Sequence, residues 1–430
     1  MRELVKFFQV RDQRGGLSLI TIMLMLAIMV VACDQKVEIT KEKVPTQVSA
    51  TQTSIPSPTL IPTLTVLPTM TPFSMGPATS QIPAGYNPLT GQLVSDPTLL
   101  DLPAVLISIT NFPPSARPQA GLSYAAWVFE LYISEGMTRF LGVYYGDYPS
   151  LNSSSQESTP QITPTTKNTS SSPGTKKSIG IGPIRSGRLP YAYVRDFFRS
   201  SCLVYAGATY QIRDKLRGCS MIYGSDSTDI NSAMLDVTKL KSLAETNFRQ
   251  GDDFNYSGNK FVETLPANGE PALQMDIYYS LLNQGRWKFD EVSQKYLKFE
   301  DLADGSGALR PMTDRLNGNQ LAFSNVVVLF AEHTVLDPYV IDVALQSGLR
   351  GKAIIFRNGM KYDAIWSTMN GDYEKETGKR RPMHFEDLNG NPFPLDPGQT
   401  WIHIFTPYSY LEQKSDGNWL LRFMAPAGTK

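Results

Sequence analysis

The chain has 430 residues, with 40 Lys+Arg against 40 Asp+Glu, three His, three Cys, 41% hydrophobic and 10% aromatic residues. That balance excludes a collagen-like chain, a wholly disordered chain and a polybasic nucleic-acid binder. The apolar content suffices for one large domain or two ordinary ones.

Arg2, Lys6, Arg11 and Arg14 precede an uncharged stretch, Leu17 to Ala32, dominated by Leu, Ile, Met and Val. This is the layout of a secretory signal peptide. The stretch ends in Val30-Val31-Ala32-Cys33, which fits a bacterial lipobox: residues 1–32 are cleaved and the Cys33 thiol carries the lipid. The competing reading is an uncleaved membrane anchor, for which the stretch is short against the ~20 residues a span requires. Both readings place the body on the extracytoplasmic face of the cell membrane. From Asp34 to Gln81, 22 of 48 residues are Thr, Ser or Pro. Such a composition buries too little to fold alone, so residues 33–81 read as a lipid-anchored tether.

Within the body, strands are expected at Ala104 to Thr110, Ala125 to Ile133, Thr138 to Tyr145, Leu273 to Tyr279, Asn325 to Phe330 and Thr400 to Phe405, where β-branched and aromatic residues mostly alternate. Residues 149–178 hold 15 Ser or Thr and four Pro and read as a disordered insertion between strands, tolerated because loop-closure entropy grows slowly with length. Helices are expected at Leu189 to Arg199, Tyr210 to Leu216 and Val237 to Arg249. Arg357-Asn358-Gly359 marks a type I′ hairpin before Tyr362 to Trp366. Strands and helices without regular βαβ alternation imply an α+β fold with mixed or antiparallel sheets and a few helices. The expected organisation is an amino-terminal domain over 82–235, a connecting region packed with the body over 236–320, and a carboxy-terminal domain over 321–430. Without the signal segment, tether and insertion, acids outnumber bases by four, so no nucleic-acid partner is expected.

The usual catalytic signatures are missing: no G-x-S-x-G, H-E-x-x-H, Walker A loop or G-x-G-x-x-G occurs. With only His333, His384 and His403, no metal centre and no cofactor are expected. Cys202 and Cys219 lie in an oxidising compartment, where a disulfide and two unpaired thiols both remain open. The densest constellation is basic. Arg117 and Gln119 follow a strand and turn, Arg139 begins a strand, and Arg185, Ser186 and Arg188 stand among glycines before a helix. Guanidinium forks at a helix entrance suit a carboxylate or phosphate. The same arginines could instead pair internally with Glu130 and Glu135. A third reading makes those two carboxylates a catalytic pair of a cell-wall hydrolase.

The run Asn111, Ala116 to Leu122, Glu130, Thr138-Arg139-Phe140 and Ile181 to Arg188 resembles the amino-terminal half of the YerB-like lipoproteins. Asn325 to Val328, Gly359, Trp366 and Pro397 to Ile402 are similar to that family's carboxy-terminal domain. The resemblance implies a two-part α+β body on a lipid anchor, with no established activity. There are three departures: Ala126 replaces an acid and Tyr205 to Thr209 replaces a His-bearing segment, each removing a polar group that catalysis could have used, and Glu135-Gly136 replaces a Gly-Gly. The expectation is therefore a non-catalytic module that binds an anionic envelope ligand, a cell-wall polymer or a membrane-protein partner. The alternatives are the hydrolase and a structural scaffold.

Overall fold

The computed structural model of the protein describes residues 72–149, 180–222, 233–248 and 253–429. Cys33, the signal segment and the 150–178 part of the insertion lie outside them. The described residues all belong to the compact unit of residues 69–430.

The principal elements are β1 (Val105–Thr110), β2 (Trp127–Ser134), β3 (Met137–Tyr144), α1 (Pro190–Phe197), β4 (Cys202–Tyr205), α2 (Tyr210–Leu216), α3 (Leu240–Thr246), β5 (Gln274–Ser280), β6 (Asn283–Asp290), β7 (Lys295–Asp301), β8 (Asn325–Phe330), β9 (Arg350–Arg357), β10 (Met360–Ser367), α4 (Asp372–Thr377), β11 (Thr400–Phe405), β12 (Tyr410–Ser415) and β13 (Asn418–Arg422). Strands dominate, as the sequence led us to expect, and the expected strands and helices are found within a few residues of their bounds.

An 11-stranded mixed sheet runs in the order β10-β9-β8-β11-β2-β3-β1-β4, with short strands at its margins. Its two halves meet where β2 pairs in parallel with β11, bringing Glu130 opposite His403. The central strands β1, β2, β8 and β11 are buried along their whole length, which explains their near-continuous apolar runs. A seven-stranded sheet contains β7-β6-β5-β13-β12. In β5 buried and half-exposed residues alternate, the pattern of a sheet with one face on the core.

The two sheets interlock through Trp287 and Trp401, whose rings stand edge to face at 5.4 Å. On the opposite face of the large sheet, Trp127 packs edge-on against Phe198, which in turn meets Tyr256. Each such fully buried ring contributes about 1.5–3 kcal/mol of transfer free energy.

Asn358 and Gly359 have φ of 47° and 72°, the two positive values that a type I′ turn between β9 and β10 requires. The Cys202 and Cys219 sulfurs are joined, with their Cα atoms 5.2 Å apart, which ties β4 to the segment after α2. One boundary needs correction. Phe73 to Gln81, read as tether, belong to the body: Ser74–Met75 pairs with Phe261 and Val262, Met75 is fully buried, and Phe73 stacks on Tyr86 at 5.0 Å. Few apolar residues suffice when each meets a preformed surface.

Candidate functional site

The arginines that stood together in the sequence part company in the fold. Arg117 is an internal strut. Its Nε lies 3.3 Å from Glu300 Oε2 and its Nη1 lies 3.1 Å from Asp301 Oδ1. It also donates to the carbonyls of Asn111 and Asp301, and its side chain is 2% exposed. Gln119 is likewise buried and donates to the Thr110 carbonyl at 3.1 Å. Arg117 and Gln119, expected at a ligand site, thus sit inside the fold, with the guanidinium between two buried carboxylates and two carbonyls.

Glu130 and Glu135 do not form a catalytic pair. Glu130 is buried in mid β2, whereas Glu135 is exposed in the β2–β3 turn with φ of 50°. The register explains this: Glu130 Oε2 faces His403 Nδ1 at 3.2 Å on the neighbouring strand, accepts from Trp401 Nε1 at 3.1 Å and lies 3.6 Å from Lys298 Nζ. Its Oε1 accepts from the Thr138 hydroxyl at 2.9 Å.

The indole N–H of Trp287 donates to His403 Nε2 at 2.9 Å. Because an indole nitrogen only donates, Nε2 must carry the lone pair and Nδ1 the proton. His403 is thus held neutral, and burial followed by the Lys298 charge keeps its pKa well below the ordinary histidine value. Lys298 lies 4.4 Å and 4.5 Å over the rings of Trp287 and Trp401, and burial lowers its pKa against the opposing pull of Glu130 and Glu300. The cavity beside these groups measures about 20 Å³, room for roughly one water and not for a sugar. The paired-carboxylate hydrolase has no groove here.

The remaining basic residues converge. The turn after residue 180 lies against β1, with Arg185 N donating to Ser108 O at 3.1 Å and Thr110 N to Pro183 O at 2.9 Å. This carries Arg185, Ser186 and Arg188 to the end of β3 that bears Arg139. Arg139 Nη1 donates to Ser186 O at 3.1 Å, and Arg188 Nη1 donates to Tyr339 O at 3.4 Å. The Nε groups of Arg139 and Arg188 are buried without a hydrogen-bond partner. Among the described residues no carboxylate pairs with either. Burial, then the charges of Arg188 and Arg185, pull the Arg139 guanidinium down to about 9, against the favourable influence of Tyr191. Like charges gathered in a buried place call for an anion.

Ser186 contributes its carbonyl to this cluster as an acceptor, also from Ser108 Oγ at 3.3 Å. Tyr191 is fully buried beside it. Tyr144 and Tyr145 are buried too, and Tyr193 donates to Asp342 at 3.3 Å. Sequence reasoning missed Lys298 and Trp401 as partners of Glu130, and Trp287 and Tyr279 as partners of His403. Their signal was a charged or polar residue inside a strand otherwise apolar on that face, as in Trp401-Ile402-His403-Ile404-Phe405. Among the described residues no group of three or more His, Cys, Asp or Glu is placed to hold a metal.

This two-sheet body, with an arginine cluster at one end of β3 in its shared sheet, matches a family of unassigned activity. Residues 89–159 match "Protein of unknown function (DUF3048) N-terminal domain" and residues 275–402 match "Protein of unknown function (DUF3048) C-terminal domain". The chain carries both domains of that family in order, as its motifs implied. It is 26% identical over 335 residues to the Bacillus subtilis (strain 168) protein named "Putative lipoprotein YerB", covering 74% of this chain and 85% of the relative. The crystal structure of the Bacillus subtilis YerB protein superposes with a TM-score of 0.51 at 21% identity, covering 74% of this chain and 96% of that one. That likeness establishes the common fold.

Proposed function

We propose that this protein is a lipid-anchored, extracytoplasmic binding module that holds an anionic ligand of the cell envelope between Arg139, Arg185 and Arg188, and catalyses no reaction. The observation that carries the reading is the convergence of three guanidinium groups, those of Arg139 and Arg188 with buried Nε–H donors left over. A bound carboxylate or phosphate would accept from such donors in bidentate fashion. The anchor is supported by the lipobox ending in Cys33 and by the name of the Bacillus relative. Among the described residues no helix is long and apolar enough to cross a membrane.

The test is thermal unfolding of the full chain in detergent, titrated with inorganic phosphate and with acetate, for native protein and Arg188→Ala. The native melting temperature should rise with one or both anions, and Arg188→Ala should show a smaller rise with that anion while unfolding within a few degrees of native. The scaffold reading has the opposite signature: Arg188→Ala would lower the melting temperature sharply, and neither anion would stabilise the native chain.

A further inference from the structure

A second basic concavity lies away from the Arg139 cluster, where the two halves of the chain meet on the helical side. It is a cleft of about 440 Å³ lined by Arg195, Asp196, Arg199, Arg217, Asn247 and Arg380. Its walls are helix ends: Arg195 and Asp196 sit in the last turn of α1 with Arg199 just beyond, Arg217 caps α2 in the left-handed region with φ of 43°, Asn247 caps α3, and Arg380 follows the end of α4. Basic side chains at helix C-termini offset the macrodipole, and this accounts for Arg195. It donates to the carbonyls of Leu216 and Arg217, and its other nitrogen lies 3.0 Å from Asp196 Oδ1.

The other three also stand at helix ends, but among the described residues their side chains make no such hydrogen bonds. Arg199, Arg217 and Arg380 are exposed, and among the described residues none of them makes an ion pair. One further acid among the described residues, Asp253, feels Arg199 but is bound by Lys379. The lining thus presents four guanidinium groups against one carboxylate, and Arg195 already occupies that carboxylate. The volume is that of a small-ligand site.

We infer that the cleft of Arg195, Arg199, Arg217 and Arg380 is a phosphate-binding site, separate from the Arg139 cluster. One carboxylate would leave most of this charge unanswered, whereas a phosphoryl group offers several acceptor oxygens and up to two negative charges to forks of matching geometry. The phosphate can be that of an anionic lipid headgroup or a free phosphate monoester. The position of the cleft across both halves of the chain means that a bound phosphate bridges them through Arg199 and Arg380.

Calorimetric titration of the full chain in detergent tests this with two probes: inorganic pyrophosphate, and glycerophosphoglycerol as a soluble phosphodiester headgroup. At least one should bind the native chain at a site whose affinity Arg199→Ala/Arg380→Ala weakens at least tenfold and Arg188→Ala leaves unchanged, apart from any binding at the Arg139 cluster. Tighter binding of glycerophosphoglycerol identifies the site as a headgroup pocket, and tighter binding of pyrophosphate as a phosphate-monoester site. Absence of binding for both probes, or equal affinity in native protein and the Arg199→Ala/Arg380→Ala variant, overturns the inference. Loss of binding in Arg188→Ala alone would also overturn it, by moving the phosphate to the other cluster.

Discussion

At Glu130 one buried carboxylate answers a lysine, a histidine N–H, an indole N–H and a threonine hydroxyl. Removing its charge strands Lys298 between two indole rings, and breaking a buried pair from one side costs about 3–5 kcal/mol. Glu130→Gln should therefore lower unfolding stability by that order. Glu130→Gln/Lys298→Met should recover much of it, because the second change removes the uncompensated charge; urea unfolding of the three proteins reads the difference. His333 gives a pH prediction. It is buried, its Nδ1 lies 2.8 Å from Ala331 O, and burial pushes its pKa down to about 4. The unfolded chain, with the usual histidine value of ~6.5, takes up the proton first as pH falls. Stability from this residue is thus present above pH ~6.5 and lost toward pH 4, by about 3 kcal/mol. Asp396 acts in the opposite sense: burial raises it to about 6 against the pull of Arg357, so its folded form gains the proton first and stability falls as pH rises through that range. The clean reading is a comparison: between pH 7 and 4.5, His333→Leu should lose less stability than the native chain.

At the scale of elements, the strands were legible because burial writes itself into local composition. Val105–Thr110, Asn325–Phe330 and Thr400–Phe405 are buried on both faces and contain few residues that a turn would need. The Asn358-Gly359 turn was legible for the same local reason. The partners of Arg117 were not, since Asp301 lies 184 residues away and no local pattern encodes which strand of the second sheet crosses β1. The same holds for Glu130 and Trp401, 271 residues apart; sequence showed a carboxylate in a strand but not the tryptophan that satisfies it. The Arg139, Arg185 and Arg188 group was partly legible, because glycines and prolines flank two of its members. Cys202 and Cys219 constrain β4 and the end of α2 through a closed loop, and a link of that length contributes about 3 kcal/mol. Cys219→Ser should cost that order of stability under oxidising conditions and nothing in excess reductant, as urea unfolding in the two buffers would show.

For the whole molecule, the two family domains are one folding unit in the hydrogen-bonding sense. β2 of the first half has β3 on one side and β11 of the second half on the other, so an isolated first half would leave a long, mostly apolar strand edge open. A chain ending at residue 235 should therefore lack dispersed amide signals and aggregate, as one heteronuclear NMR spectrum would establish. This architecture sets the proposed arginine site on the sheet that both halves share. The most direct test of that central reading is co-sedimentation of the full chain in detergent with isolated cell-wall sacculi, beside an Arg185→Ala/Arg188→Ala variant whose melting temperature is measured in parallel. The account predicts that native protein pellets with the sacculi and that the folded variant stays in the supernatant. Equal pelleting of both, or no pelleting of the native protein, would contradict it.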